Sequence, residues 1–276
     1  MDESSDLIQV MRKQFASSKR WLRYSIYCNL TVVVLSALSS IAPLGQSSTT
    51  FPILLLVVQV IAFTLREKST RDFSFAELIR RLALLQDGLG FQLSNLQLKR
   101  IITRSNQSMD EPPYLANYYA STLPQGPGRL LEILSESCFY TENIAGRAFT
   151  ILVSLVGCTS IALVFLIFPL IDAYADPLVL RTFTIAIAPF LSFWATGDLI
   201  YMALRFRTLR SDCSSILDKC EDLERTNRHD LPEILQMVDE YNCSLASSLP
   251  LPTRFYEANK ANLNKMWVAQ SNRTNS

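Results

Sequence analysis

Four stretches of this chain carry almost no charge, and each can be measured against the roughly 30 Å hydrocarbon core of a bilayer. Tyr24 to Leu44 is uncharged and, at 1.5 Å per residue, spans about 31 Å as a helix. Phe51 to Leu65 covers only about 22 Å and reaches a full span when Ser47 to Thr50 join it. Ala148 to Ile171 covers about 36 Å, enough for a tilted helix. Thr182 to Leu204 contains a single charge, Asp198. One such window fits the core helix of a soluble protein; four together do not. The polar segment before Tyr24 is long for a cleaved signal peptide. Composition agrees, because 49% of the 276 residues are hydrophobic and only 18% are charged, below the quarter expected of a soluble domain.

The basic residues orient the windows. Lys19, Arg20 and Arg23 precede the first; Arg66, Lys68 and Arg71 follow the second; Arg147 precedes the third; Arg205, Arg207 and Arg210 follow the fourth. The turns Gly45 to Thr50 and Asp172 to Leu178 contain no Lys or Arg. Under the positive-inside rule, both termini and nearly all the polar mass lie in the cytoplasm. The expected fold is therefore an all-α, multi-pass membrane protein with four transmembrane helices in two hairpins and a cytoplasmic helical bundle. Its boundaries are a cytoplasmic amphipathic helix at 1–23, a first hairpin at 24–65, a cytoplasmic helical segment at 66–147, a second hairpin at 148–204 and a cytoplasmic helical tail at 205–276.

Apolar residues recur at helical spacing in the polar segments. Phe75, Leu78, Ile79, Leu82 and Leu85 form one stripe, interrupted at Gly88 and Gly90. Ser105 to Pro113 reads as a loop. Pro127 opens a helix on which Leu130, Leu134, Ser137, Thr141 and Ile144 share a face, continuing past Gly146 into the third window as a stalk. A second stalk follows the fourth window through Leu209, Cys213, Ile216, Leu217, Cys220 and Leu223. Asp230 and Glu233 have capping-box spacing ahead of an apolar face of Leu231, Ile234, Leu235, Val238, Tyr241 and Leu245. A last amphipathic helix carries Phe255, Leu263, Met266 and Trp267.

Catalytic signatures are missing from the sequence. It has no Gly-rich phosphate loop, no metal-spaced Cys/His cluster and no nucleophile elbow. His229 is the single histidine and sits in a polar stretch, and the six cysteines form no C-x-x-C pair, so they read as reduced thiols. The expectation is no enzyme, no metal and no cofactor. With a net charge of +1 and no basic patch, a nucleic acid polymer is not an expected partner. What remains is polarity inside the spans, where an ionisable group is costly. Asp198 lies about 10 Å along the helix from Arg205, a candidate for a polar lumen or for helix packing. Ala188, Ser192 and Thr196 fall every fourth residue on that span, a small-residue face suited to close helix packing. Four helices enclose little lumen, so a conducting form has to be a homo-oligomer in the lipid bilayer.

The segment from Tyr118 to Tyr140 resembles the hallmark of the SMODS-associated four-transmembrane pore-forming effectors, bacterial proteins encoded with nucleotide-signal synthases of antiphage systems. The matching positions are Tyr118, Tyr119, Pro124, Glu136, Phe139 and Tyr140, an aromatic pair and a proline ahead of a polar-aromatic helix. Ser135, Glu136 and Ser137 stand where that family has a Gln-rich core, and Cys138 precedes the aromatics, departures that leave the core family or a sister family open. The resemblance implies an inner (plasma) membrane effector of antiviral defence that forms pores or disrupts membranes. It also implies activation by a cyclic nucleotide signal or a signal-sensing partner protein. The alternative is a non-conducting membrane scaffold or sensor that recruits a soluble partner. By physics alone, the same aromatics make an interfacial belt beneath a bilayer.

Overall fold

The structure is a computed structural model, and it describes residues 3–41, 50–105, 119–173, 198–251 and 253–274. These residues form seven helices and no strands: α1 (Glu3–Ile41), α2 (Thr50–Leu89), α3 (Asn95–Ser105), α4 (Pro127–Ala173), α5 (Asp198–Arg225), α6 (Leu231–Ala246) and α7 (Thr253–Thr274). The described residues are all-α, in keeping with their 3.6-residue periodicity. The helices are also long: the 47 residues of α4 extend about 70 Å, more than twice the thickness of a hydrocarbon core.

Two compact units divide the chain. The first comprises Met1–Ser18, Arg71–Ala148 and Arg205–Ser276; the second comprises Lys19–Thr70 and Phe149–Leu204. Helices α1, α2, α4 and α5 contribute residues to both.

The first unit is a helical bundle with an apolar interior. Leu7, Val10 and Met11 of α1 pack with Phe75 and Ile79 of α2 and with Leu93 and Ile101, which seals α3 against the bundle. Each such buried side chain contributes about 1.5–3 kcal/mol relative to exposure. Elsewhere in the unit, Leu130, Leu131, Ile133 and Leu134 of α4 are buried, as are Leu209, Cys213, Ile216, Leu217, Cys220 and Leu223 of α5. Helix α6 buries Ile234, Met237, Val238, Tyr241, Asn242 and Leu245. Its buried side is therefore rotated from the expected stripe, and Leu235 is exposed. Asp230 is the N-cap, yet its side chain makes no capping bond. Pro232 in the first turn removes one of the two backbone donors an N-cap side chain ordinarily satisfies, and the other, the Glu233 N–H, is not bonded by Asp230.

The second unit presents the opposite surface. Its α1 and α2 segments pair closely, with Ser25 Oγ donating to the Ala62 carbonyl at 2.8 Å and with Val33 and Ala62 buried. Outward it exposes large apolar groups, among them Leu56, Val60, Phe63, Ile161, Phe165 and Leu204. Along α1, exposed residues run from Arg20 and Arg23 through Tyr24 and Tyr27 to Leu30 and Val34. Along α2 they run from Lys68 through Phe63 to Val57 and Ile53. Among the described residues one helix, α4, is long and apolar enough to cross a membrane, and only 17% of its most apolar window is buried. A core helix would be mostly covered. Ala188, Ser192 and Thr196 of the fourth window lie outside the described residues.

Candidate functional site

The polar groups of the first unit converge where α2 ends and α4 begins. Gly90 ends α2 with a φ of +72°, which glycine adopts without the Cβ penalty. Gly126 then donates its N–H to the Gly88 carbonyl at 2.8 Å, fixing the start of α4 against the end of α2. A Cβ on Gly88 would stand 2.8 Å from Leu130 Cδ1 and 3.1 Å from its Cα, so the two helices approach at a distance only glycine permits.

Arg129 secures the same junction. Its Nη2 donates to both Asp87 carboxylate oxygens at 3.1 and 3.0 Å, its Nε to the Asp87 carbonyl at 3.0 Å, and its Nη1 to the carbonyls of Ser121 and Leu123 at 3.2 and 2.6 Å. A cation at the C-terminal end of α2 also complements the helix dipole. The loop before α4 is held from the other side by two carboxylates one helical turn apart. Glu132 accepts from Ser121 Oγ, and Glu136 Oε2 accepts from the Ala120 N–H at 2.9 Å.

Behind this junction is a buried cation. Arg80 Nε pairs with Glu77 Oε2 at 2.7 Å and Nη2 donates to Asn242 Oδ1 at 2.7 Å. The guanidinium lies 4.7 Å from the Tyr241 ring centre, within cation–π range. The Tyr241 hydroxyl shares a 2.9 Å hydrogen bond with Thr141 Oγ1 and donates to the Ser137 carbonyl at 3.3 Å. This chain of contacts runs from α2 through α6 to α4. Burial pushes the Tyr241 phenol well up, against the opposing pull of the Arg80 charge. Burial also raises the Cys138 thiol, and Cys213 beside it adds to the rise. At neutral pH these groups keep their protons and serve as hydrogen-bonding and packing elements rather than nucleophiles.

The motif residues distribute over this region. Tyr119 is buried. Pro124 is exposed in the loop. Phe139 is buried, its ring centre 5.5 Å from that of Trp267 on α7. Tyr140 donates to Asn264 Oδ1 at 2.7 Å, and burial pushes its phenol up to about 12. Tyr118 lies outside the described residues, and Asp198 is the first residue of α5. Arg80, Asn242 and Arg129 were not among the candidates from sequence. Their signal was position: Arg80 follows Ile79 and lies four residues after Ala76, on the buried side of α2.

Glu136 gives the junction a pH dependence. Burial raises its carboxyl most, Glu132 and Asp87 add to the rise, and the Ala120 N–H opposes it. A carboxyl raised in the folded state binds its proton longer than in the unfolded chain. Stability therefore falls as pH rises from the ordinary carboxylate range through the raised value. Glu136→Gln, which keeps an acceptor for Ala120, is expected to raise the melting temperature at pH 7 and to flatten its decline across that window. Thermal unfolding of the detergent-solubilised chain at pH 4.5 and pH 7 measures both effects; an unchanged pH profile contradicts them.

Comparison with protein-family models, curated proteins and solved structures finds no match to this chain.

Proposed function

We propose that this chain is a four-span membrane effector, inserted as two hairpins with its first unit in the cytoplasm, and that a cytoplasmic signal acting on that unit opens or disrupts the bilayer. The observation that carries the reading is α4. Its first half holds Glu136, Phe139 and Tyr140 of the motif and the Arg129, Glu132 and Glu136 contacts, and the same unbroken helix continues into an apolar, largely uncovered stretch. Support for insertion comes from the second unit, where exposed residues pass from basic to aromatic to aliphatic along both α1 and α2. That is the order of headgroup, interface and hydrocarbon. The role in nucleotide-signalled antiphage defence at the inner membrane rests on the resemblance of the Tyr118 to Tyr140 segment.

In this reading Asp198 faces a polar lumen shared by several copies, and Ala188, Ser192 and Thr196 let the spans pack closely. Asp198→Ala is then expected to change the rate of ion or dye leakage through membranes holding equal amounts of protein, leaving insertion intact. Leakage equal to wild type leaves Asp198 a packing residue. A wild type that admits no dye under any inducing condition favours the scaffold alternative.

A further inference from the structure

Within the second unit, α2 uses two different sides. Ala62 and Ser69 are buried and Leu55, Val58 and Leu65 half-buried, a stripe with alternating spacings of three and four that includes the Ala62 contact with Ser25 on α1. From Ile53 to Phe63 the remaining surface is mostly apolar and uncovered, with Leu56 64% and Phe63 68% exposed. Gln59 lies between them, three residues from one and four from the other, and is itself exposed.

The polar groups nearby behave differently from Gln59. Thr64 donates to the carbonyls of Val60 and Ile61 at 3.1 and 2.8 Å, and Thr31 to that of Tyr27 at 2.9 Å, so each hydroxyl is satisfied within its own helix. The Gln59 side-chain amide makes no hydrogen bond among the described residues. It sits near the centre of the Phe51 to Leu65 window, where hydrocarbon offers an amide no partner and an unmet polar group costs several kcal/mol.

We infer that Leu56, Gln59 and Phe63 form the face by which α2 meets the α2 of a second copy of this chain, with the two Gln59 amides hydrogen-bonded to each other. The inference rests on the membrane reading above. A second copy is the occupant this face fits because a carboxamide carries both donor and acceptor and so complements itself across a two-fold axis. The three-and-four spacing gives a helical partner a continuous seam. A polar residue at one position of such a seam fixes register, which an all-aliphatic face leaves free.

The test co-expresses two full-length copies with different affinity tags and, after mild detergent extraction, measures how much of one is recovered with the other. Wild type is expected to co-purify, Gln59→Leu to reduce recovery roughly three- to tenfold, and Gln59→Asn to retain most of it. Thr64→Val, which removes a hydroxyl already satisfied within its helix, is expected to match wild type. Carbonate-washed membranes are assayed first. Loss of wild type from the pellet overturns the membrane reading and this inference with it. A pelleted chain that is monomeric, or whose Gln59→Leu variant associates like wild type, overturns the inference alone.

Discussion

Arg80→Met is expected to lower the melting temperature of the detergent-solubilised chain by roughly 6–15 °C, the equivalent of about 3–5 kcal/mol. The size follows from what the substitution leaves behind. Glu77 and Arg80 expose only 10% and 11% of their side chains, so methionine strands a carboxylate in the interior and deprives Asn242 Oδ1 of its donor. It also removes the cation from the Tyr241 face. Most of that cost reflects the uncompensated partner rather than a net contribution of the pair. Arg80→Met combined with Glu77→Met and Asn242→Leu is therefore expected to recover most of the loss. A single variant within about 1 °C of wild type contradicts a buried, mutually dependent cluster.

Ala145→Pro is expected to abolish signal-dependent permeabilisation while leaving the chain in the membrane. Ala145 is fully buried within α4, one turn beyond Thr141, the α4 partner of Tyr241. Proline there removes a backbone donor and clashes with the Thr141 carbonyl, at a cost of roughly 3 kcal/mol or more. A kinked or broken α4 absorbs a displacement that an unbroken helix transmits. The measurement is uptake of a membrane-impermeant dye under conditions in which wild type admits it, at matched membrane abundance. Wild-type uptake by the proline variant contradicts coupling through α4.

The sequence revealed the helices better than their partners. The stripe from Leu209 to Leu223 was legible because α5 buries one side with apolar residues alone, and every member is buried. Helix α6 was misread by part of a turn: the expected stripe took in Leu235, which is exposed, and left out Met237 and Asn242, which are buried, because hydrophobic periodicity assigns no weight to an asparagine that answers a buried cation. Gly146 did not end α4; its missing Cβ instead leaves room for the Arg210 side chain, which a Cβ would approach to 3.2 Å. The motif positions came from a resemblance, but what they touch did not. That Glu136 accepts from Ala120 and that Tyr119 is buried depend on the fold of the Tyr119 to Gly126 loop, which no local periodicity encodes. Continuity of α1 and α2 through their charged segments was hidden too, since a change from apolar to polar composition does not itself end a helix.

Insertion as two hairpins is the claim on which the rest depends, and reporter fusions along the full chain test it most directly. Fusions after Lys68, Met109 and Ser276 are expected to report the cytoplasm, and one after Ser47 the opposite side, matching the distribution of Lys and Arg about the four windows. A fusion after Met109 that reports the outside would contradict the two-hairpin account.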